Sequence, residues 1–368
     1  MARVEHLTPG RLQAGLDDAF ARVAGRFKRR EVRLRARRCL QGLLSGLERK
    51  TGWSLAEYAG EATPDGMQRL FSTARWDVEG IRDDIRDYII DHLGEGDGVL
   101  IGDDTGFEKR GMCSAGVQRQ HTGTAGKITN CQIGVYLAYA TSRGRALMNR
   151  ELYLPRESWI ADTARCAAAK APQDVRFATK PQLLQAMIER AITAGVPFGW
   201  VTADEAYGDN GPLRRYLEER QLNYVLAVAR THHITTATGP VRAETIARKI
   251  PTTGWQRLSC GKGAKGERRY DQALVATIGP GRHLLVRRSI HKPSELAFFL
   301  CHTNTGAVAP AGEGGRSALE HRRMFPGGQE RDRHGSLSGQ ALSRLVPVHD
   351  LGHAGVGVSR GDPRVPSG

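Results

Sequence analysis

No two of the six cysteines, at positions 39, 113, 131, 166, 260 and 301, form a C-x-x-C pair. That absence argues against a zinc ribbon and against a disulfide framework, and points to reduced thiols. No apolar run reaches membrane-spanning length, and the N-terminal MARVEHLTPG lacks the apolar core of a signal peptide. A soluble cytoplasmic protein with no membrane partner is the expectation. Acidic side chains are also scarce: 39 Asp and Glu face 54 Lys and Arg, giving a net charge of +15 and a pI near 9.9. Arginine dominates the basic set, which favours bidentate phosphate contact over diffuse charge. Nucleic acid is the partner this balance suggests, with a merely basic soluble enzyme as the alternative.

The 368 residues, 40% of them hydrophobic, suffice for one large domain or a main domain with a smaller one. Residues 1–95 read as helical. The span from Arg22 to Lys50 carries Leu34, Leu40, Leu43, Leu44 and Leu47 on an apolar stripe opposite a basic face. Ser54 and Thr63 fit N-caps, Pro64 fits a first helical position, and Gly60 fits the break between two short helices. A DNA-reading helix-turn-helix and an ordinary helical hairpin both suit this pair. A further helix is expected over Val78–Leu93, with Ile81, Ile85, Tyr88, Ile89 and Ile90.

From about residue 97 the pattern changes to strands: Gly98–Asp103, Cys131–Tyr139 and Ala146–Leu154, the last two joined as a hairpin at Gly144. A helix over Lys180–Gly195, a strand at Trp200–Asp204, a helix over Gly211–Gln221 and a strand at Asn223–Val228 follow. This order predicts an α/β fold with a ribonuclease-H-like mixed sheet. The expected organisation is a helical, DNA-binding region over 1–95, a catalytic core over 96–231, a β-rich insertion over 232–292, a last core strand over 293–304 and a disordered tail over 305–368. Adjacent His232 and His233 lack the i, i+4 spacing of helix-borne ligands and read as surface residues.

Two of those strands release a carboxylate. Asp103 ends the apolar run 98–102, and Asp204 ends the run 199–203. Carboxylates brought side by side repel, and the usual remedy is a divalent cation. In so basic a chain, that pairing suggests metal-assisted chemistry on a nucleic-acid phosphate. Two plainer readings stay open: Asp104 is the ligand, or either Asp merely caps a helix.

Several phrases carry a resemblance. Asp103-Asp104-Thr105-Gly106-Phe107-Glu108-Lys109-Arg110-Gly111 resembles a D-[DE]-T-G-F-x-K-x-G opening. It is followed by the stretch from His121 to Gln132, then Arg150-Glu151-Leu152-Tyr153-Leu154-Pro155, Phe177-Ala178-Thr179-Lys180-Pro181 and Asp204-Glu205-Ala206-Tyr207-Gly208. Together they resemble the bacterial insertion-sequence DDE transposases of the insertion-sequence 701 group, from about residue 10 to about 305. The resemblance implies a ribonuclease-H-like core with a carboxylate triad, Asp103 first and Asp204 second. It implies Mg²⁺, with Mn²⁺ as an alternative, held as two ions. Its partners would be DNA, both element ends and target, and a second copy of the chain at the nucleoid. Lys109, Arg110, Lys127 and Lys180 are then candidates for phosphate contact, each with a solvated surface charge as the competing reading.

The C-terminal part departs from that family. Its third carboxylate is a Glu on a late helix, and none stands in frame after residue 305, where Gly, Arg and Ser dominate. Glu313, Glu320 and Glu330 lie in sequence too rich in glycine to fix a side chain. A codon set exists for Leu319–Gln329 that, read one base later, gives Trp-Ser-Ile-Glu-Glu-Cys-Phe-Gln-Ala-Ala-Lys, the missing helix. A frameshift between about residues 303 and 312 is the corresponding expectation. The competing functional readings are a DNA-binding remnant without catalysis and a host ribonuclease-H-like nuclease.

Overall fold

The computed structural model describes residues 9–263 and 266–304. The tail, the expected frameshift and the acidic residues beyond 304 lie outside the described residues. Five helices open the chain: α1 (Pro9–Val23), α2 (Arg30–Leu44), α3 (Gly52–Tyr58), α4 (Asp65–Ser72) and α5 (Val78–Leu93). The basic segment expected as one apolar-striped stretch is divided, because a short 3-10 turn at Ala24–Arg26 and extended backbone at Phe27 and Arg29 separate α1 from α2. Phe20, Val23 and Phe27 turn inward there and meet Cys39, Leu55, Met67 and Leu70. The cap of α3 is Thr51 rather than Ser54. The Ser54 hydroxyl instead accepts from the Thr51 amide at 2.9 Å, completing a reciprocal capping box. Gly60, at φ +74°, ends that helix in the left-handed region. Asp77 caps α5, whose bounds match the expected helix.

Next come β1 (Val99–Glu108), β2 (Gln118–Thr122), β3 (Lys127–Thr141), β4 (Gly144–Leu152), α6 (Thr163–Ala168), α7 (Lys180–Thr193), β5 (Trp200–Ala203), α8 (Glu205–Gly208), α9 (Gly211–Glu219) and β6 (Asn223–Val228). A two-stranded sheet of β7 (His233–Thr236) and β8 (Gly239–Arg242), then α10 (Ala243–Arg248), lead into β9 (Gln256–Gly263), β10 (Gly266–Ala276), β11 (Arg282–Ser289) and β12 (Leu296–His302). Ten strands form one mixed sheet in the order β2-β3-β1-β5-β6-β12-β11-β10-β9, with β4 on β3. β1 runs antiparallel to β3 and parallel to β5, and β5 runs parallel to β6. This is the mixed α/β sheet with N-terminal helices that the sequence predicts, in a ribonuclease-H-like arrangement.

Two strand bounds differ from expectation in a way that bears on the site. β1 does not stop at Asp103 but continues through Glu108, because β3 pairs with it over ten successive residues, from Val99↔Ala140 to Glu108↔Cys131. The polar Asp-Asp-Thr-Gly stretch has poor strand propensity, and this ladder overrides it. β5 is shorter by one residue, since Asp204 leaves the strand to start α8.

On one sheet face Leu100, Leu137, Val201 and Leu226 pack with Leu184, Met187 and Ile188 of α7 and with Leu213 and Leu217 of α9. On the other, Val99, Ile101, Tyr136, Val225 and Phe299 form a second buried cluster. α7 lies close to β1 because residue 102 is glycine. A Cβ there would stand 2.4 Å from Leu184 Cδ2.

Candidate metal centre

The parallel register aligns Leu100 with Val201 and Gly102 with Ala203, so one further step along both strands brings Asp103 level with Asp204. Asp103 is therefore a mid-strand residue, buried at 7% exposure. Asp204 sits where its strand ends, and its carboxylate accepts from the Ala206 amide at 3.0 Å as the N-cap of α8. Asp204 does cap a helix, and the cap fixes its side chain at the carboxyl end of a parallel strand, where α/β sheets place ligands. At the other end of α8, Gly208 lies against β6 with no room for a Cβ, which would stand 1.7 Å from the Ala227 carbonyl oxygen.

Strand pleating sends Asp103 and Asp104 to opposite faces. Their carboxylates still converge beside the carboxyl end of β5, where Asp103 Oδ1 folds back to accept from the Asp104 amide at 2.7 Å. One carboxylate oxygen from each of Asp103, Asp104 and Asp204 lies within 4.8 Å of the others, and no other such group of His, Cys, Asp or Glu occurs among the described residues. All three donors are hard oxygens, the set that suits Mg²⁺. An octahedral ion with bonds of about 2.1 Å joins oxygens up to about 4.2 Å apart, so small side-chain rotations bring the Asp103 and Asp204 oxygens within the reach of one.

Lys180 is the first residue of α7, whose start is fixed by a capping box between Thr179 and Gln182 and by Pro181. Its ammonium lies 2.7 Å from Asp104 Oδ2. The helix N-terminus adds its own positive end to the same region. Of the four basic residues expected at phosphate, Lys180 reaches the Asp104 carboxylate. Lys109 and Arg110 follow the end of β1, some six residues or about 20 Å along the strand from Asp103. Lys127 is exposed at the start of β3, in the hairpin with β2.

Two features escaped the sequence reading. The Lys180–Asp104 pair joins residues 76 apart, and nothing local announces it. Tyr207, within the Asp204–Gly208 phrase, is fully buried, and its hydroxyl has no hydrogen-bond partner among the described residues. Burial first, then the charges of Asp104, Asp204 and Asp103, push its phenol well above its ordinary titration range. Its place three residues beyond a helix-capping Asp was the available signal. The histidine pair also differs from expectation: His233 is exposed, but His232 is half-buried, with Nδ1 2.8 Å from Asp209 Oδ1. Desolvation and then Arg214 lower its imidazole pKa, against the pull of Asp209.

Residues 22–259 match the DDE superfamily endonuclease family. The chain is 30% identical over 195 residues to the "Probable transposase for insertion sequence element IS701" of Microchaete diplosiphon, covering 52% of this chain and 48% of that protein. The chain thus spans about half the length of this curated relative. Among solved structures, the NurA nuclease of Sulfolobus solfataricus aligns over 66% of this chain and 82% of its own at 8% identity, with a TM-score of 0.26, too low to bear on function.

Proposed function

We propose, from the premise that this chain belongs to the DDE superfamily endonucleases, that it is an insertion-element transposase acting on DNA. The observation that carries this is the grouping of Asp103, Asp104 and Asp204 within 4.8 Å, midway along β1 and at the carboxyl end of β5. Asp103 and Asp204 would hold Mg²⁺ or Mn²⁺. Bound there, the cation would neutralise phosphate charge and make a water more acidic. The chain's own contribution is rigid placement: Asp103 pairs with Tyr136 of β3 one step past the last β1–β5 pair, Gly102↔Ala203, and Asp204 is tied to α8 by its cap. Hydrolysis of one phosphodiester would free a 3′-hydroxyl at an element end. Attack of that hydroxyl on a target phosphodiester would form one P–O bond and break another, joining the two DNAs and releasing the target strand's own 3′-hydroxyl, with no covalent protein intermediate. Lys180 supports the phosphate side of the site, while Lys109, Arg110 and Lys127 would bind DNA farther along the sheet. The helical region over 1–95 is assigned to DNA binding and a second copy of the chain to the active assembly.

The test is Mg²⁺-dependent cleavage of element-end DNA, with D103N and D204N as inactive controls. A second reading, a DNA-binding remnant, draws on the sequence after residue 305, which supplies no in-frame third carboxylate on a late helix. Salt-sensitive binding without cleavage by any preparation favours that reading. Sequencing the gene across codons 303–330 tests the frameshift directly, and codons that cannot encode the shifted helix end it.

A further inference from the structure

We infer that Asp104 is a positioning residue rather than a third metal ligand, holding the Lys180 ammonium beside Asp103 and Asp204 as a contact for a phosphodiester oxygen of bound DNA. The inference rests on the metal-dependent reading above and deepens it. Three neighbouring carboxylates invite a triad, but the geometry separates their roles. Asp104 shares its sheet face with Leu100 and Gly102, the face on which α7 packs. There its Oδ2 is 2.7 Å from Lys180 Nζ, in a pair only 16% and 27% exposed. The ammonium is not a wandering surface charge. Its backbone starts a capped helix, and its Nζ lies 6.0 Å from the centre of the Tyr153 ring. A divalent ion drawing on Asp104 would sit against this fixed positive charge, and like charges in a half-buried setting exclude one another. Asp104 therefore serves the site through Lys180.

The test uses the full chain and its variants D103N, D204N, D104N and K180A, each first checked by thermal melting. Mn²⁺ binding without DNA is followed by electron paramagnetic resonance, and the salt dependence of DNA binding is measured for the wild type and K180A. D103N and D204N should each weaken Mn²⁺ binding by more than about tenfold. D104N should stay within about threefold of the wild type, and K180A should bind at least about threefold more tightly once the competing charge is gone. The slope of log K against log salt should become shallower by about 0.9 in K180A, the loss of one phosphate contact. A D104N loss matching that of D103N makes Asp104 the third ligand and overturns the inference. So does K180A with wild-type Mn²⁺ affinity or wild-type slope. If D103N and D204N leave Mn²⁺ binding unchanged, the metal-dependent reading fails too, a result distinct from failure at Asp104 alone.

Discussion

Replacing Gly208 by alanine asks whether the site depends on how tightly α8 seats against the sheet. A Cβ at this position would stand 1.7 Å from the Ala227 carbonyl oxygen and 2.8 Å from its carbonyl carbon. Favourable contact begins near 3.5 Å, so about 1.5–2 Å must be recovered by movement. β6 lies between β5 and β12 and is paired on both sides, so the four-residue α8 is the element that yields. Overpacking of this kind costs about 1–3 kcal/mol, a fall in Tm of roughly 2–12 °C for a domain of this size. Asp204, the cap of α8, shifts with it, and a misplacement of about 1 Å lowers a catalytic rate by about a hundredfold. Gly211→Ala is the control, since a Cβ there meets nothing nearer than an Arg214 nitrogen at 4.0 Å. Differential scanning fluorimetry, Mn²⁺ titration and Mg²⁺-dependent cleavage should separate the two variants. If G208A melts and binds Mn²⁺ as G211A does, the close approach of α8 to β6 does not position Asp204 and the reasoning is wrong.

Other outcomes follow from the same geometry. Asp204→Asn should preserve α8, because Asn caps as well as Asp, yet reduce cleavage on the order of a thousandfold; a melting temperature well below wild type would mean that structure, not charge, was lost. Tyr207→Phe removes a buried hydroxyl with no partner among the described residues and should raise stability by about 1 kcal/mol, whereas a lower Tm would reveal a hydrogen bond to that oxygen. The Arg26 guanidinium meets Asp84 at 2.8 and 2.7 Å, and these hydrogen bonds hold the Asp84 carboxyl below its ordinary 3.8. A depressed folded-state value stabilises fully above that ordinary value and is lost as pH falls through the lower one, so the Tm advantage over D84N should shrink as pH falls through 3.8 and below. An advantage independent of pH would contradict the pairing.

The α5 boundaries were legible because Ile81, Ile85 and Ile89 repeat at helical spacing. α7 and β6 were legible for similar local reasons. β1 was misjudged past Asp103 because Asp-Asp-Thr-Gly reads as a turn, and only the ladder with β3 makes those residues strand. Thr51 and Ser54 show the same limit at small scale: either hydroxyl suits a cap, and the reciprocal bonds decide which one takes it.

The sequence alone determined the basic charge, the alternation of strands and helices, and the presence of two acidic side chains at the ends of apolar runs, since each is a property of neighbouring residues. The meeting of Asp103 with Asp204, about a hundred residues apart, was decided by the parallel register of β1 and β5. The pairing of Asp104 with Lys180 was decided by where the start of α7 falls against β1. Register and helix seating are set by which side chains fill the shared interior, a sum over distant contacts that no local stretch of chain contains.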